Sequence, residues 1–461
     1  MSVFDKIYSQ SPVALQNLFF SAYGIYWKWL RFGGSFPQYV RDYQNREFWN
    51  MEEWSEYQQK RLRNLLTAAS QHVPYYRDQW TAAQKKSASV GDLNALPLLE
   101  KSEIRGNERS FLRDDMHPRH IKYFATSGST GTPIKTIWTP VEIRDSLAVR
   151  EVRSANWAGV SFCQPRATFS GRMIEPDPNS KGPFYRFNAA EQQVYFSAFH
   201  LRPDTARYYV DALHRHKVVW MTGYAVSFFL LAQLVLKQDL LVEGIRAVIT
   251  TSEKLTPEMR SAMERAFHCP IFEEYSTVEN ALFASECERG RLHVSPDVSV
   301  VEILRPDGTA CTAGEPGEVV TTCLMRDYQP MIRFRLGDVA AWSEEVCPCG
   351  RSMPVIQEVV GRIEDVVVGP DGRQMVRFHG VFTNQPHVLE GQIVQETLNF
   401  IRVLIVPING FDDADRDTIV ARLRQRLGDD MEFNVELVDT IPRTKAGKFQ
   451  AVVSKLKGHV P

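Results

Sequence analysis

The sequence predicts an α/β protein built from more than one domain. Three observations carry this. From about Tyr123 onward, short apolar runs alternate with amphipathic stretches, the pattern of strands and helices taken in turn. Between Val298 and Val339 the character changes to Val/Ile-rich strands with turns at Pro306-Asp-Gly308 and Gly314-Glu-Pro-Gly317. The length, 461 residues, is more than one hydrophobic core sustains and points to two or three domains.

Taken in order, the first feature is an aromatic, apolar segment from Leu18 to Arg31. Lys28 interrupts it, and it falls short of the ~20 apolar residues that cross a bilayer. No basic leader or small-residue cleavage site accompanies it. A helix packed on the body of the protein is expected, with peripheral membrane contact as the alternative and no transmembrane segment. From Glu56 to Val73, Leu62, Leu65, Leu66, Ala69 and Val73 fall on one helical face, and Pro74 stops the helix. Val218–Thr222 reads as a buried strand, Ala225–Leu236 as the helix after it, and Ala247–Thr251 as a second strand. A helix then opens on Thr256 as cap with Pro257 in its first turn. After Gly361-Arg362 a compact α+β unit follows, with a strand at Val403–Val406 and a charged helix at Asp415–Leu427. The resulting division is an N-terminal domain over 1–361 (helical lead-in 1–120, α/β core 121–297, β-rich subdomain 298–361) and a C-terminal unit over 362–461.

Composition narrows the function. A net charge of −1 provides no basic field to recruit nucleic acid. Hydrophobic content of 44% and charged content of 24% are those of a globular protein. Seven cysteines, an odd number in a long chain, argue against a secreted disulfide scaffold and for a reducing, cytoplasmic setting.

The most informative segment is Thr126-Ser-Gly-Ser-Thr-Gly-Thr-Pro-Ile-Lys135. Glycines such as Gly128 and Gly131 let backbone N–H groups approach a polyphosphate, and the hydroxyls of Thr126, Ser127, Ser129 and Thr130 donate further hydrogen bonds. Lys135 adds a point charge. No Gly-Lys-Ser/Thr ends the loop, so it is not a Walker A motif. It resembles the phosphate loop of the adenylate-forming superfamily, which includes acyl-CoA synthetases, peptide-synthetase adenylation domains and luciferases. That resemblance implies a large N-terminal adenylate-forming domain of stacked α/β subdomains with a small β-rich subdomain, closed by a small mobile α+β lid.

Further motifs follow in the order the resemblance requires. Glu274-Tyr-Ser-Thr-Val-Glu279 is similar to the family's strand-loop: Tyr275 against adenine, Ser276 near the phosphate or acyl carboxylate, Glu279 on Mg²⁺. Thr251-Ser-Glu-Lys-Leu255, with Ser252 and Glu253, stands where the family places a glycine-rich loop against the adenine, though its residues differ. Arg335-Leu-Gly-Asp338 resembles the motif whose aspartate accepts hydrogen bonds from the ribose diol. Gly361-Arg-Ile-Glu-Asp365 resembles the hinge motif, with Arg362 on ribose or phosphate and Asp365 as pivot. Pro442-Arg-Thr-Lys-Ala-Gly-Lys448 matches the C-terminal lysine motif, which makes Lys448 the catalytic candidate together with Glu279.

The likeness narrows to phenylacetate–CoA ligases through His72-Val-Pro-Tyr-Tyr-Arg77 and Cys347-Pro-Cys-Gly350, and then to a branch found in capsule and surface-polysaccharide biosynthesis. By position, Ser170, Gly171, Arg172 and Tyr224 line the acyl pocket; Arg172 suits a second carboxylate, or else makes a surface ion pair. Cys347 and Cys349 on a tight turn, with Cys287 and His293 upstream, form a candidate structural zinc site, the alternative being free thiols beside an ordinary strand histidine.

The expected activity has two steps. A carboxylic acid attacks ATP·Mg²⁺ to give acyl-AMP and pyrophosphate, and the lid then turns and an acceptor takes the acyl group. The resemblance implies coenzyme A as acceptor, with an amine or hydroxyl as the alternative. Adenylylation of a non-carboxylate substrate and an inactive scaffold are the remaining readings. The presence of Lys448, Glu279 and Asp338 together argues against the scaffold.

Overall fold

A computed structural model describes residues 11–125, 134–170, 174–175, 177, 180–253, 255–360, 367–371, 374–375, 379–382, 385, 387–407, 410–441 and 452–456. Its first part is helical: Val13–Phe32, Phe36–Asn45, Met51–His72, Pro74–Gln79 and Ala82–Val90. The helix expected from Glu56 begins five residues earlier, because Asn50 caps it. The Asn50 side chain accepts from the Glu52 and Glu53 amides, and Glu53 returns a bond to the Asn50 amide. Pro74 does end that helix, and it also opens the next one, at a first-turn position where its missing N–H costs nothing.

The strands, in chain order, are β1 (Lys122–Ala125), β2 (Lys135–Trp138), β3 (Arg166–Ser170), β4 (Tyr185–Asn188), β5 (Gln193–Ser197), β6 (Trp220–Tyr224), β7 (Ala247–Thr251), β8 (Ile271–Ser276), β9 (Phe283–Glu286), β10 (Leu292–Val294), β11 (Ser299–Leu304), β12 (Gly317–Cys323), β13 (Phe334–Trp342) and β14 (Val355–Val360). β1 and β2 form a hairpin of their own, and the other twelve make one sheet in the order β11-β12-β13-β14-β10-β9-β8-β7-β6-β3-β5-β4. Its middle, β5-β3-β6-β7-β8, is parallel. Helices Ala206–Arg215, Ala225–Lys237 and Pro257–Phe267 contribute Tyr209, Leu213, Phe228, Leu231, Met263 and Phe267 to the core against these strands. The helix at Pro257 starts as its sequence dictates, the Thr256 hydroxyl accepting from the Met259 amide at 3.3 Å. The strand expected at Val218–Thr222 runs two residues later, over β6.

The β-rich stretch does not form a sheet apart. β11 to β13 continue the same hydrogen-bonded sheet through β14 and β10. After the large sheet come β15 (Val367–Val368), β16 (Gln374–Met375), β17 (Val388–Thr397), β18 (Phe400–Pro407), β19 (Glu432–Leu437) and β20 (Val452–Ser454). β17 to β20 form a four-stranded sheet packed on the helix Asp413–Leu427 through Ile393, Val403, Ile419 and Leu423. This is the compact α+β unit expected after residue 361.

Candidate active site

Side chains at the carboxyl ends of parallel strands stand clear of the sheet, which is where open α/β folds bind their ligands. The register here is level. Ser170 pairs with Ser197, Tyr224 with Thr251, and Thr251 with Glu274. Ser170, Tyr224, Ser252, Glu253, Glu274, Tyr275 and Ser276 therefore occupy one edge, although they come from four separate stretches of chain. Gly223 makes the approach possible. It has φ +143°, and a Cβ there would lie 2.0 Å from the Phe169 carbonyl oxygen.

Two irregularities shape this edge. Ser252, directly after β7, adopts φ 72°, a left-handed conformation costly for a non-glycine residue, and Asn280, directly after Glu279, adopts φ 54°. Such strain collects where a loop is held in one functional shape. Glu253 turns back, and its Oε2 accepts from the Val226 amide at 2.9 Å. It thus places negative charge on the N-terminus of the helix Ala225–Lys237, where the helix dipole favours it.

The opposite wall is Asp338. Between Val320↔Arg335 and Glu318↔Val339 the register of β13 slips, with four steps on β13 against two on β12. Gly337 takes φ 75° inside that bulge. The distortion re-aims Asp338, whose Oδ2 accepts a 2.8 Å hydrogen bond from the Tyr275 hydroxyl. Glu274 is buried, held by Arg150 Nε at 3.1 Å and by the Ser276 hydroxyl at 3.1 Å. Arg150 was not anticipated from sequence.

Glu279 is buried. Behind it stands Arg326, fully buried, whose guanidinium donates to the Glu279 carbonyl at 3.2 Å and to the Ile137 carbonyl at 2.6 Å. It lies 4.4 Å from the centre of the Trp138 ring and 3.6 Å from the Glu142 carboxylate. Gln329 Oε1 accepts from the Ile137 amide at 2.8 Å. Together they lock the hairpin β1–β2 to the Glu279 segment. In the sequence only a lone arginine three residues after a buried strand hints at Arg326. Lys135 opens β2 and is exposed. Thr126, Ser127, Gly128, Ser129, Thr130, Gly131, Gly171, Arg172, Arg362, Asp365 and Lys448 lie outside the described residues.

The second expected cluster comes together in full. One ligand atom each from Cys287, His293, Cys347 and Cys349 lies within 4.8 Å of every other. Cys287 Sγ and Cys347 Sγ are 3.7 Å apart, and Cys349 Sγ and His293 Nε2 are 3.4 Å apart. A disulfide needs ~2.05 Å. Tetrahedral zinc at Zn–S ~2.3 Å and Zn–N ~2.05 Å spaces two sulfurs by ~3.8 Å and a sulfur and nitrogen by ~3.5 Å. His293 Nδ1 lies 3.0 Å from the Met353 carbonyl, which only accepts, so Nδ1 carries the proton and Nε2 offers its lone pair to the cluster. Burial lowers the His293 pKa and keeps the ring neutral, and burial pushes the Cys347 thiol up to about 12. Burial also works to raise Cys349, yet hydrogen bonds from Arg351 and Cys347, together with the Arg351 charge, hold it below the ordinary thiol value. The residues present fit zinc.

Comparisons with known proteins agree with the motifs. The CapK C-terminal domain family model matches residues 368–455. The chain is 25% identical to Protein CapK of Staphylococcus aureus, across 98% of this chain and all of that one. It is 23% identical to a phenylacetate-coenzyme A ligase of Thermus thermophilus, over 68% of this chain and 71% of the relative. Among solved structures, a 2-hydroxyisobutyryl-CoA ligase in complex with 2-HIB-AMP and CoA superposes with a TM-score of 0.58 at 20% identity, covering 89% of this chain and 92% of that one. The resemblance read from the motifs therefore extends over most of the chain, and the fold is that of the adenylate-forming ligases.

Proposed function

We propose that this adenylate-forming, AMP-forming ligase activates a carboxylic acid with ATP, releases pyrophosphate, and passes the acyl group from acyl-AMP to coenzyme A. The observation that carries this reading is the Tyr275–Asp338 hydrogen bond. It joins two segments that resemble nucleotide motifs, 63 residues apart, beside the carboxyl ends of the parallel strands. A carboxylate such as Asp338 accepts hydrogen bonds from a ribose diol, and Tyr275, fixed by the same bond, offers its ring to adenine. Glu279 would hold Mg²⁺, whose charge would offset that of the phosphates. Thr126 to Lys135 cradles the phosphates. Lys448 stabilises the charge that builds during attack on the α-phosphorus, an interaction stronger in the transition state than in the ground state. A reaction fed by ATP and coenzyme A is a cytoplasmic one.

A second reading changes only the acceptor. The resemblance to the surface-polysaccharide branch, in line with the likeness to Protein CapK, implies an amine or hydroxyl acceptor, giving an amide or ester. Acid-dependent ATP–pyrophosphate exchange across a panel of carboxylic acids tests adenylation itself, with Lys448→Ala as control. No exchange with any acid, in either protein, overturns it. Adding coenzyme A or amines afterwards separates the two acceptors by product mass.

The same reasoning assigns zinc to Cys287, His293, Cys347 and Cys349. Four protein ligands leave no open position, so the ion is structural, pinning the loop before β14 to the β9–β10 hairpin.

A further inference from the structure

The helix Val13–Phe32 hydrogen-bonds to the β4 strand through polar side chains and, near its end, buries Leu30 against Trp138 and Ile143. Gln16 accepts from Arg186, Asn17 Oδ1 accepts from the Phe187 amide at 2.9 Å, and the Ser21 hydroxyl accepts from the Ala189 amide at 3.0 Å. Gly24 lets the Asn188 side chain close in, to where a Cβ would lie 2.1 Å from its Oδ1. The outward face carries Leu18, Ile25 and Trp29, which are 60%, 66% and 51% exposed and spaced seven and four residues apart. Apolar side chains at that helical spacing form one continuous stripe. A stripe of this kind facing water, on a helix whose other face is satisfied, marks an interaction surface.

Charge identifies the partner. The helix contains no Asp or Glu. Lys28 is exposed on it, Lys122 Nζ sits 4.6 Å from the Tyr26 ring centre, and the Arg144 guanidinium sits 5.5 Å from that of Trp29. An apolar stripe rimmed by tyrosine, tryptophan and basic groups suits the boundary between lipid headgroups and acyl chains. A second copy of the chain would set the same basic rim against itself. No helix among the described residues is long and apolar enough to cross a membrane, so the geometry is that of a helix lying in the surface plane.

We propose that the outer face of Val13–Phe32 docks the protein on anionic phospholipid, with Leu18, Ile25 and Trp29 immersed at the headgroup boundary and Lys28, Lys122 and Arg144 facing phosphate. The inference stands apart from the nucleotide site and survives whether or not adenylation is confirmed.

The test is flotation with vesicles of phosphatidylglycerol and phosphatidylcholine in equal parts, against phosphatidylcholine alone. Wild type floats with the anionic vesicles. The double variant Leu18→Asp/Ile25→Asp lowers the bound fraction at least about tenfold, since each side chain withdrawn from lipid costs that order in partition. Both positions are exposed, so the tryptophan-fluorescence unfolding midpoint stays unchanged and reports that the variant is folded. Wild type that stays with the free protein, or a variant that floats equally well, overturns the proposal. So does a wild-type dimer that the double variant dissociates without any vesicle binding; that result assigns the face to a second copy.

Discussion

Asp145 lies on the helix Pro140–Arg150, at a cavity of about 540 Å³ also lined by Tyr43, Arg46, Tyr57 and Asp297. Burial pushes its carboxyl up to about 7, with the Asp297 carboxylate adding to the rise, against the Tyr43 hydroxyl, Arg46 and Arg61. The Tyr43 hydroxyl donates to Asp145 Oδ1 at 2.8 Å. The native state therefore keeps a proton on Asp145 across a window, from near 3.8 to about 7, in which the unfolded chain has lost it. Where the native state binds more protons, stability falls as pH rises. A shift of about three units corresponds to ~4 kcal/mol, and the opening onto the cavity lets water reduce this to about 2–4 kcal/mol. Asp145→Asn keeps the shape and removes the titration. Its stability relative to wild type should thus improve by about 2–4 kcal/mol between about pH 4.5 and about pH 7.5. Urea unfolding followed by tryptophan fluorescence measures this, because all nine tryptophans precede position 343 and report on the large unit alone. Groups other than Asp145 titrate alike in both proteins and cancel. A difference that changes by less than about 0.5 kcal/mol across that range refutes the half-buried, protonated carboxyl.

Other perturbations read the site more directly. Tyr275→Phe removes one hydrogen bond to Asp338, worth ~1 kcal/mol, and should raise the KM for ATP about fivefold in pyrophosphate exchange with kcat little changed. An unaltered KM in both Tyr275→Phe and Asp338→Ala would remove these residues from the nucleotide site. Elemental analysis should find one zinc per chain, lost in Cys347→Ser/Cys349→Ser along with a lower unfolding midpoint; metal-free, fully folded wild type refutes the site. Arg326→Met leaves the Glu142 carboxylate buried without its cation and should cost about 3–5 kcal/mol, read as a fall in the urea midpoint. Gly223→Ala drives a Cβ into the Phe169 carbonyl and should cost about 3 kcal/mol or more, with loss of exchange activity.

Local features were legible in the sequence because their causes are local. Ala247–Thr251 is rich in β-branched residues and forms a strand, and Thr256 with Pro257 starts a helix. The grouping of Cys287, His293, Cys347 and Cys349 was legible too, since thiol and imidazole donors are scarce and Cys347 and Cys349 share a tight turn. Non-local features were not. Nothing in residues 298–361 says that β14 hydrogen-bonds to β10 and so carries β11 to β13 into the parallel sheet. Arg326 looks like any surface arginine until the Ile137 and Glu279 carbonyls close on it from 189 and 47 residues away. The helix at the N-terminus packs on the body as expected, but that much of its contact is polar was not legible, because it depends on β4 offering Arg186 and the Phe187 amide to bond with.

The chain alone therefore determined the chemistry it displays. Hydroxyls and glycines before Lys135, carboxylates at 279 and 338, and the thiols at 347 and 349 are set by residue type and short spacing, which survive without any fold. Tertiary structure decided which of them meet. It levelled Ser170, Tyr224, Ser252 and Glu274 on one sheet edge through parallel register, and it bulged β13 so that Asp338 turns to Tyr275. It also buried Arg326 behind Glu279. Those outcomes depend on packing between segments far apart in sequence, where the free energy belongs to the pair and neither segment carries it alone.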